Sequence, residues 1–239
     1  MPDTPVTFKV FRCAPGGEAS RFDTFEVAVP GHTSVLDALD AIRVDIDPTL
    51  VYRHSCHHSS CGTCAMRING RDRLACITPA HEAAAESSVQ GTVTLEPLRG
   101  LPLQGDLMVD MRAFYRHFDE HWSTLRPSEG RAQAALPAGI ERFTRLENCI
   151  ECGCCVSACP VTGTETGDGT AFAGPAVLAA VRREMGRGPD VPEGLAALAF
   201  GPHGEQHCQR HLACSRACPN GVYPARAIMD LRRMRERKE

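Results

Sequence analysis

The sequence lacks three features that would place it in other classes of protein. No stretch approaches the roughly 20 apolar residues of a membrane-spanning helix, because the longest, Ala171–Val181, stops at Arg182. Nothing in Met1–Phe11 resembles a signal peptide, since Asp3 and Lys9 interrupt any apolar region. The net charge of −3 gives no indication of a nucleic-acid partner. If the protein works at a membrane, we therefore expect other subunits to hold it there.

Cysteine, in contrast, is abundant, with 13 in 239 residues. The cysteines fall in three tight groups plus Cys13, which is how metal ligands are distributed, whereas the disulfides of a secreted framework are usually spread more evenly. Cysteine–metal chemistry and the missing signal peptide both indicate a reducing compartment.

The first group has the spacing C-x4-C-x2-C with a fourth cysteine downstream, which is that of a plant-type [2Fe–2S] ligand set. Its members are Cys56, Cys61, Cys64 and Cys76. Two alternatives are a structural zinc site and, as in a Rieske centre, ligation of iron by His57 or His58. We favour four thiolate ligands, because four cysteines are already present.

The second group matches C-x2-C-x2-C-x3-C-P, in which three thiolates hold one cubane cluster and the fourth reaches another cluster. The three predicted ligands of the first cubane are Cys149, Cys152 and Cys155, and Cys159 is the fourth cysteine of the run. Cys154 lies out of step with this spacing, so we predict that it is not a ligand.

The third group is an altered copy of the second. It contains Cys208, Cys214 and Cys218, but His211 stands where the spacing requires another cysteine. If each run gives its last cysteine to the cluster of the other run, Cys159, Cys208 and Cys214 would hold a [3Fe–4S] cluster. By the same exchange, Cys218 would complete the [4Fe–4S] set. The alternative is that His211 binds a fourth iron.

Hydrophobic periodicity predicts an α+β domain over residues 1–105 and a helical domain over residues 106–239. The predicted strands are Thr4–Arg12, Arg21–Val29, Cys64–Ile68, Arg71–Ile77 and Thr92–Glu96. Ser34 followed by Asp37 indicates a helix start, and Asn69-Gly70 indicates a type I′ turn that returns Cys76 to Cys64. The later predicted helices are Asp106–Trp122, Ala176–Met185 and Ala225–Arg237, with loops at Ser123–Gly139 and Gly186–Gly194.

Taken together, the motifs resemble the iron–sulfur subunit of succinate dehydrogenases and fumarate reductases. The resemblance rests on S-C-H-H-S-S-C-G-T-C, N-G-R-D-R-L-A-C-I-T, C-I-E-C-G-C-C-V-S-A-C-P and A-C-P-N-G-V-Y-P-A-R-A-I. It implies an N-terminal β-grasp, plant-type ferredoxin domain followed by an all-α, bacterial-ferredoxin-like domain. It also implies a flavoprotein partner with covalent FAD, membrane anchor subunits, a quinone, and a peripheral position on the cytoplasmic face of the cell membrane.

The resemblance is weakest on the quinone side. Many family members have Ser and Trp shortly after the first C-P and His after the first cysteine of the third group, whereas here Pro160 is followed by Val161-Thr162-Gly163 and Cys208 by Gln209. The candidate quinone-side residues, for each of which a structural role is an equal alternative, are Pro160, His207, Gln209 and His211. The basic stretch Arg232–Lys238 is predicted to face anionic lipid or a partner, or to be a solvated helix end.

Three other functions fit parts of the pattern. The same chain of clusters could run in reverse in a quinol:fumarate reductase. A thiol-dependent fumarate reductase normally continues into a further cysteine-rich domain, whereas this sequence stops at Glu239. A free-standing ferredoxin-like carrier would have no use for the second domain. We expect an electron-transfer subunit of a succinate:quinone oxidoreductase, with no acid–base or nucleophilic catalysis in this chain.

Overall fold

The N-terminal hairpin begins the fold as predicted. The computed structural model describes residues 4–15, 19–115, 118, 146–163, 172–186 and 193–237. Strands β1 (Thr4–Arg12) and β2 (Arg21–Val29) pair antiparallel along their whole length. Helix α1 (Val35–Ala41) follows, with a capping box in which Ser34 and Asp37 bond each other's backbone N–H groups, and a π-helical turn extends it to Ile46.

Three further strands complete a mixed sheet in the order β2-β1-β5-β3-β4. They are β3 (Ala65–Ile68), β4 (Arg71–Leu74) and β5 (Thr92–Glu96), and β5 lies parallel to β1. Asn69 and Gly70 have φ of 50° and 75°, as a type I′ turn requires. The predicted strand over 71–77 is wrong beyond Leu74, where the chain makes a 3-10 turn, Ala75–Ile77, before helix α2 (Ala80–Ala85). A mixed sheet crossed by one buried helix is the β-grasp arrangement.

The helix predicted from Asp106 is wrong at its start. Strands β6 (Leu103–Gly105) and β7 (Met108–Val109) pair there instead, and helix α3 spans only Arg112–Tyr115. Asp106 has φ of 41°, and its carboxylate accepts hydrogen bonds of 2.9 Å from the backbone N–H groups of Cys13 and Val51. These contacts join the turn between β6 and β7 to the end of β1 and to the segment at Val51. The rest of this predicted helix, apart from residue 118, and the predicted loop Ser123–Gly139 lie outside the described residues.

The later part of the chain is helical. Its described helices are α4 (Cys154–Ala158), α5 (Pro175–Met185), α6 (Glu193–Phe200), α7 (Ala213–Arg216) and α8 (Pro224–Glu236). The predictions for α5 and α8 are confirmed to within one residue, whereas α6 was not predicted. Within the described ranges, no helix is long and apolar enough to cross a bilayer.

Apolar side chains of the sheet and of the helical part share one core. Cys154, Cys155 and Cys214 belong to the same buried cluster as Phe8 and Leu95 of the sheet. At this junction the Ser157 hydroxyl of α4 donates to the buried carboxylate of Asp72 in β4 and accepts from the Arg99 backbone N–H at 2.8 Å. The second cysteine run is therefore joined to the sheet through buried side chains. The boundary at residue 105 stays a prediction.

Candidate metal centres

The loop of residues 56–64 points backbone N–H groups at sulfur. Cys56 Sγ accepts from the N–H groups of His58, Ser60 and Cys61, at 3.5, 3.2 and 3.4 Å. These hydrogen bonds lower the pKa of Cys56 to about 7, and the bond from the His58 N–H has the largest effect. Left-handed backbone at His57 and Ser59, each with φ of 59°, bends the chain round the sulfur. Hydrogen bonds of this kind stabilise the thiolate, which is the form of cysteine that binds a metal.

Cys76 returns to this loop as predicted. Its Sγ accepts from the Ser59 N–H at 3.3 Å, and the preceding residue, Ala75, donates its backbone N–H to the carbonyl oxygen of Cys64 at 3.1 Å. Burial raises the pKa of Cys64 to about 12, so this thiol would be protonated at neutral pH unless a metal bound it. The loop and the following hairpin thus gather the first group of cysteines.

A small cavity lies among the cysteines of the helical part. The cysteines that line it are Cys149, Cys152, Cys155 and Cys218. The remaining walls are mostly apolar, and burial raises the pKa of Cys149 to about 11. Cys154 does not line this cavity and is fully buried.

A second small cavity is lined by Cys159, Cys208 and Cys214. Burial raises the pKa of Cys214 to about 11. Three of the candidate quinone-side residues, Pro160, Gln209 and His211, also line this cavity and are exposed at its rim.

The two histidines near this cavity differ in position. His211 Nε2 lies 3.1 Å from Gln209 Oε1. His207 is not among the residues that line the cavity, and its Nε2 lies 2.6 Å from the carbonyl oxygen of Pro202.

Each of two short helices, α4 and α7, supplies one cysteine to the first cavity and one to the second. On α4, Cys155 lines the first cavity, while Cys159, just past the helix end, lines the second. On α7 the order is reversed, because Cys214 lines the second cavity and Cys218 the first. Helices α4 and α7 pack against each other. The two cysteines that α4 gives to the two cavities are thus about one helical turn apart, about 6 Å along the axis.

Iron–sulfur clusters fit the groups that are present. The donor sets consist of thiols, which are the usual ligands of such clusters. In addition, Nη2 of Arg53 is buried and has no hydrogen-bond partner among the described residues, and this guanidinium lies near Cys64 and Cys152. A cluster with negatively charged sulfur atoms would supply the missing acceptor.

Three residues that position these centres were not among the site residues predicted from the sequence. Arg53 is one, and its contacts are not local in sequence. Gly62, with φ of 72°, packs directly against Cys152, so the first loop touches the second cysteine run. Glu205, which is fully buried, precedes Cys208 and anchors its segment. For Gly62 alone the sequence held a signal, since it lies between two of the predicted ligands in C-G-T-C.

The basic C-terminal stretch is partly structural, which corrects the expectation of a surface that faces lipid or solvent. Arg232 Nε lies 2.9 Å from a carboxylate oxygen of Glu205, and Arg232 also donates to the carbonyl oxygens of Glu205 and Cys208 at 2.8 and 3.2 Å. Arg235 pairs with the other carboxylate oxygen at 3.1 Å. Helix α8 therefore holds the segment that carries Cys208.

Two family models match this chain and define its class of protein. A 2Fe-2S iron-sulfur cluster binding domain matches residues 7–116, and a 4Fe-4S dicluster domain matches residues 145–222. The chain is thus an iron–sulfur protein of two cluster-binding regions.

Relatives narrow the class to one family. The chain is 32% identical over 234 residues to the succinate dehydrogenase iron-sulfur subunit of Paracoccus denitrificans, covering 95% of this chain and 86% of that one. It is 31% identical to the fumarate reductase iron-sulfur subunit of Haemophilus influenzae (95% and 92%) and to succinate dehydrogenase [ubiquinone] iron-sulfur subunit 2, mitochondrial, of Oryza sativa (98% and 76%). The chain belongs to the family of succinate dehydrogenase and fumarate reductase iron–sulfur subunits.

A solved structure agrees in fold. A chain of the Mycobacterium smegmatis Sdh1 complex in the apo form superposes with a TM-score of 0.79 at 24% identity, over 97% of this chain and 95% of that one. The β-grasp region followed by a helical region is therefore the fold of this chain.

Proposed function

We propose that this chain is the electron-transfer subunit of a succinate:quinone oxidoreductase. It would receive electrons from the FAD of a flavoprotein subunit and pass them, through three clusters in series, to a quinone at membrane anchor subunits. The observation that carries the proposal is the pair of cavities that exchange cysteines across α4 and α7, together with the loop of residues 56–64 packed against the first of them.

The proposed ligands follow the cysteines of each site. The [2Fe–2S] set is Cys56, Cys61, Cys64 and Cys76, the [4Fe–4S] set is Cys149, Cys152, Cys155 and Cys218, and the [3Fe–4S] set is Cys159, Cys208 and Cys214. Three thiols suit a cubane that lacks one iron. The hydrogen bond between His211 and Gln209 supports His211 as a rim residue, because it occupies the ring nitrogen Nε2.

When bound, the clusters supply centres that accept and release single electrons. The chain contributes position, shielding and hydrogen bonds. The contact of Gly62 with Cys152 sets the first site against the second. One helical turn between Cys155 and Cys159 then sets the second against the third. Backbone N–H groups, such as that of Val222 at 3.4 Å from Cys218 Sγ, would stabilise reduced, more negative sulfur.

The exposed rim of the second cavity supports an exit to quinone at that point. Pro160, Gln209 and His211 lie there, and Leu212 beside them is 51% exposed. We propose that this rim faces the membrane anchor subunits on the cytoplasmic side of the membrane and that the quinone binds between them. His207 is the weaker candidate, because it does not line this cavity.

Low-temperature EPR of the purified protein tests the proposal. We expect a sharp oxidised signal near the free-electron g value from a [3Fe–4S] cluster, and a [2Fe–2S] signal after reduction with dithionite. A silent oxidised sample with two interacting [4Fe–4S] signals after reduction would contradict the three-cluster series. Affinity purification through this chain should also bring down a flavoprotein, which a free-standing carrier would not do.

The relative rates of turnover distinguish succinate oxidation from fumarate reduction. The purified complex should reduce a quinone analogue with succinate faster than it reduces fumarate with the quinol. The reverse ratio would make it a fumarate reductase that uses the same series of clusters.

A further inference from the structure

Three side chains in and beside the first cysteine loop lie close together and have no part in the proposed electron transfer. They are Asp40 of α1, His54 in the segment before Cys56, and His57 within the loop. One ligand-type atom from each lies within 4.8 Å of the others. The shortest separation, 3.3 Å, joins His54 Nδ1 to His57 Nε2, and His57 Nε2 is 3.9 Å from Asp40 Oδ2.

These separations suit a tetrahedral metal ion. Two nitrogen donors at about 2.05 Å from zinc, at the tetrahedral angle, are about 3.3 Å apart. The separation of the two imidazole nitrogens has this value. The carboxylate oxygen is somewhat further away, and a small rotation of Asp40, whose side chain is 29% exposed, would bring it into range.

The groups around the three side chains resemble the outer shell of a metal site. The Tyr52 hydroxyl donates to Asp40 Oδ1, which leaves Oδ2 towards the histidines. On the far side of the His57 ring, Nδ1 is 4.0 Å from Asp37 Oδ1. A metal-bound histidine commonly directs its second ring nitrogen at a carboxylate, and a ligating carboxylate is commonly hydrogen-bonded in turn.

We propose that Asp40, His54 and His57 bind one divalent transition-metal ion of the Zn²⁺ type, with His54 Nδ1, His57 Nε2 and Asp40 Oδ2 as ligands and water in the fourth position. Imidazole and carboxylate donors suit such an ion. The ion would join α1 to the loop that carries Cys56. None of the cysteines proposed to hold iron takes part.

Zinc binding by the cluster-loaded, full-length chain, purified without oxygen and with any subunits that remain bound, tests this site. The sample is stripped with a chelator, dialysed against Zn²⁺, and analysed for zinc, iron and sulfide together. We expect one zinc per chain with iron unchanged, and an affinity at least about tenfold lower in His54→Ala, His57→Asn and Asp40→Asn. Asparagine is chosen at position 57 because it tolerates the left-handed backbone there.

The matched control is His58→Ala, which removes a neighbouring exposed histidine outside the cluster and should leave zinc affinity unchanged. Tyr52→Phe keeps all three ligands and should weaken binding only through the orientation of Asp40.

X-ray absorption at the zinc edge identifies the ligands. Nitrogen and oxygen at about 2.0–2.1 Å are expected, whereas zinc that has replaced iron would show sulfur at about 2.3 Å. The proposal is overturned if the wild-type chain binds no zinc, if zinc binds with sulfur ligands, or if the three ligand variants bind as tightly as His58→Ala. In each case the three side chains form a hydrogen-bonded network only.

Discussion

Gly62 and Cys152 lie in direct contact. A Cβ atom at position 62 would approach the Cβ of Cys152 to 2.7 Å and its Cα to 2.8 Å, closer than folded proteins tolerate. Residue 62 belongs to the proposed [2Fe–2S] loop, and residue 152 to the proposed [4Fe–4S] run. The absence of a side chain at one position thus allows the backbones of two cluster sites to meet.

Gly62→Ala should therefore destabilise the junction between the two sites. It adds a clash to the strain of a positive φ, for which we expect a loss of about 2–4 kcal/mol in unfolding free energy and a smaller [2Fe–2S] EPR signal. The control is Gly91→Ala, since Gly91 has φ of 77° but nothing within 4 Å of its added Cβ. Equal losses in denaturant unfolding of the two variants would mean that backbone strain, and not the contact with Cys152, explains the effect.

The exchange of cysteines between the cavities can be tested one ligand at a time. Cys159→Ala, although it alters the second cysteine group, should abolish the [3Fe–4S] signal, and Cys218→Ala should abolish the [4Fe–4S] signal, because each side chain lines the other run's cavity. Iron content and EPR provide the measurement. Cys154→Ala is the control and should keep all the iron. Loss of the [4Fe–4S] signal alone in Cys159→Ala would disprove the exchange.

Arg53 should raise the potentials of the sites that it adjoins. Its buried guanidinium lies near Cys64 and Cys152, and a positive charge favours the more negative, reduced cluster. In Arg53→Gln we expect lower midpoint potentials for [2Fe–2S] and [4Fe–4S], on the order of tens of millivolts for a partly screened unit charge. An EPR-monitored redox titration measures this.

Two controls accompany that titration. Arg53→Lys keeps the positive charge and should have midpoint potentials close to those of the wild-type protein. Arg71→Gln removes a positive charge from a side chain that is 67% exposed. A drop in Arg71→Gln as large as that in Arg53→Gln would show a general effect of net charge.

The hydrogen bond from Ser157 to Asp72 should stabilise the protein most at higher pH. Burial raises the pKa of Asp72, which the Ser157 hydroxyl opposes. Between the ordinary aspartate pKa of about 4 and the raised value, the folded state holds more protons than the unfolded state, so stability falls as the pH rises. Ser157→Ala raises the folded pKa further, so its cost, about 1–3 kcal/mol, should grow from acidic to alkaline pH.

Denaturant unfolding of Ser157→Ala at mildly acidic and mildly alkaline pH measures this cost. In an Asp72→Asn background no carboxylate titrates at position 72, and the cost of Ser157→Ala should no longer depend on pH. A pH dependence that persists there would assign the effect to another group.

Local signals predicted the parts of the molecule that depend on neighbours in sequence. The strands β1, β2 and β5, the Ser34–Asp37 capping box and the Asn69-Gly70 turn follow from alternation and turn chemistry, and the cysteine spacing indicates which sulfurs gather. The prediction from Asp106 failed because Leu107, Met111 and Phe114 show helical spacing and are all buried, yet Leu107 lies in the turn before β7 and the helix begins only at Arg112.

Long-range contacts explain the rest of what the sequence concealed. The carboxylate of Asp106 bonds residues 93 and 55 positions away, and Arg232 bonds Glu205 27 positions away. No local pattern distinguishes such an arginine from a solvated one at a helix end. The same holds for Arg53, whose role depends on cysteines from two separate groups.

The crossed arrangement on α4 and α7 has a consequence for how the protein is made. On the proposed ligand set, neither cavity possesses all its sulfurs until the ribosome has synthesised residue 214 for one and residue 218 for the other. Iron delivered to a nascent chain that ends soon after Cys159 would find three of the four sulfurs of one set and one of the three sulfurs of the other. Complete assembly of either cluster must then follow translation of both runs, and a cut between the runs would divide the ligand sets of both centres between two fragments.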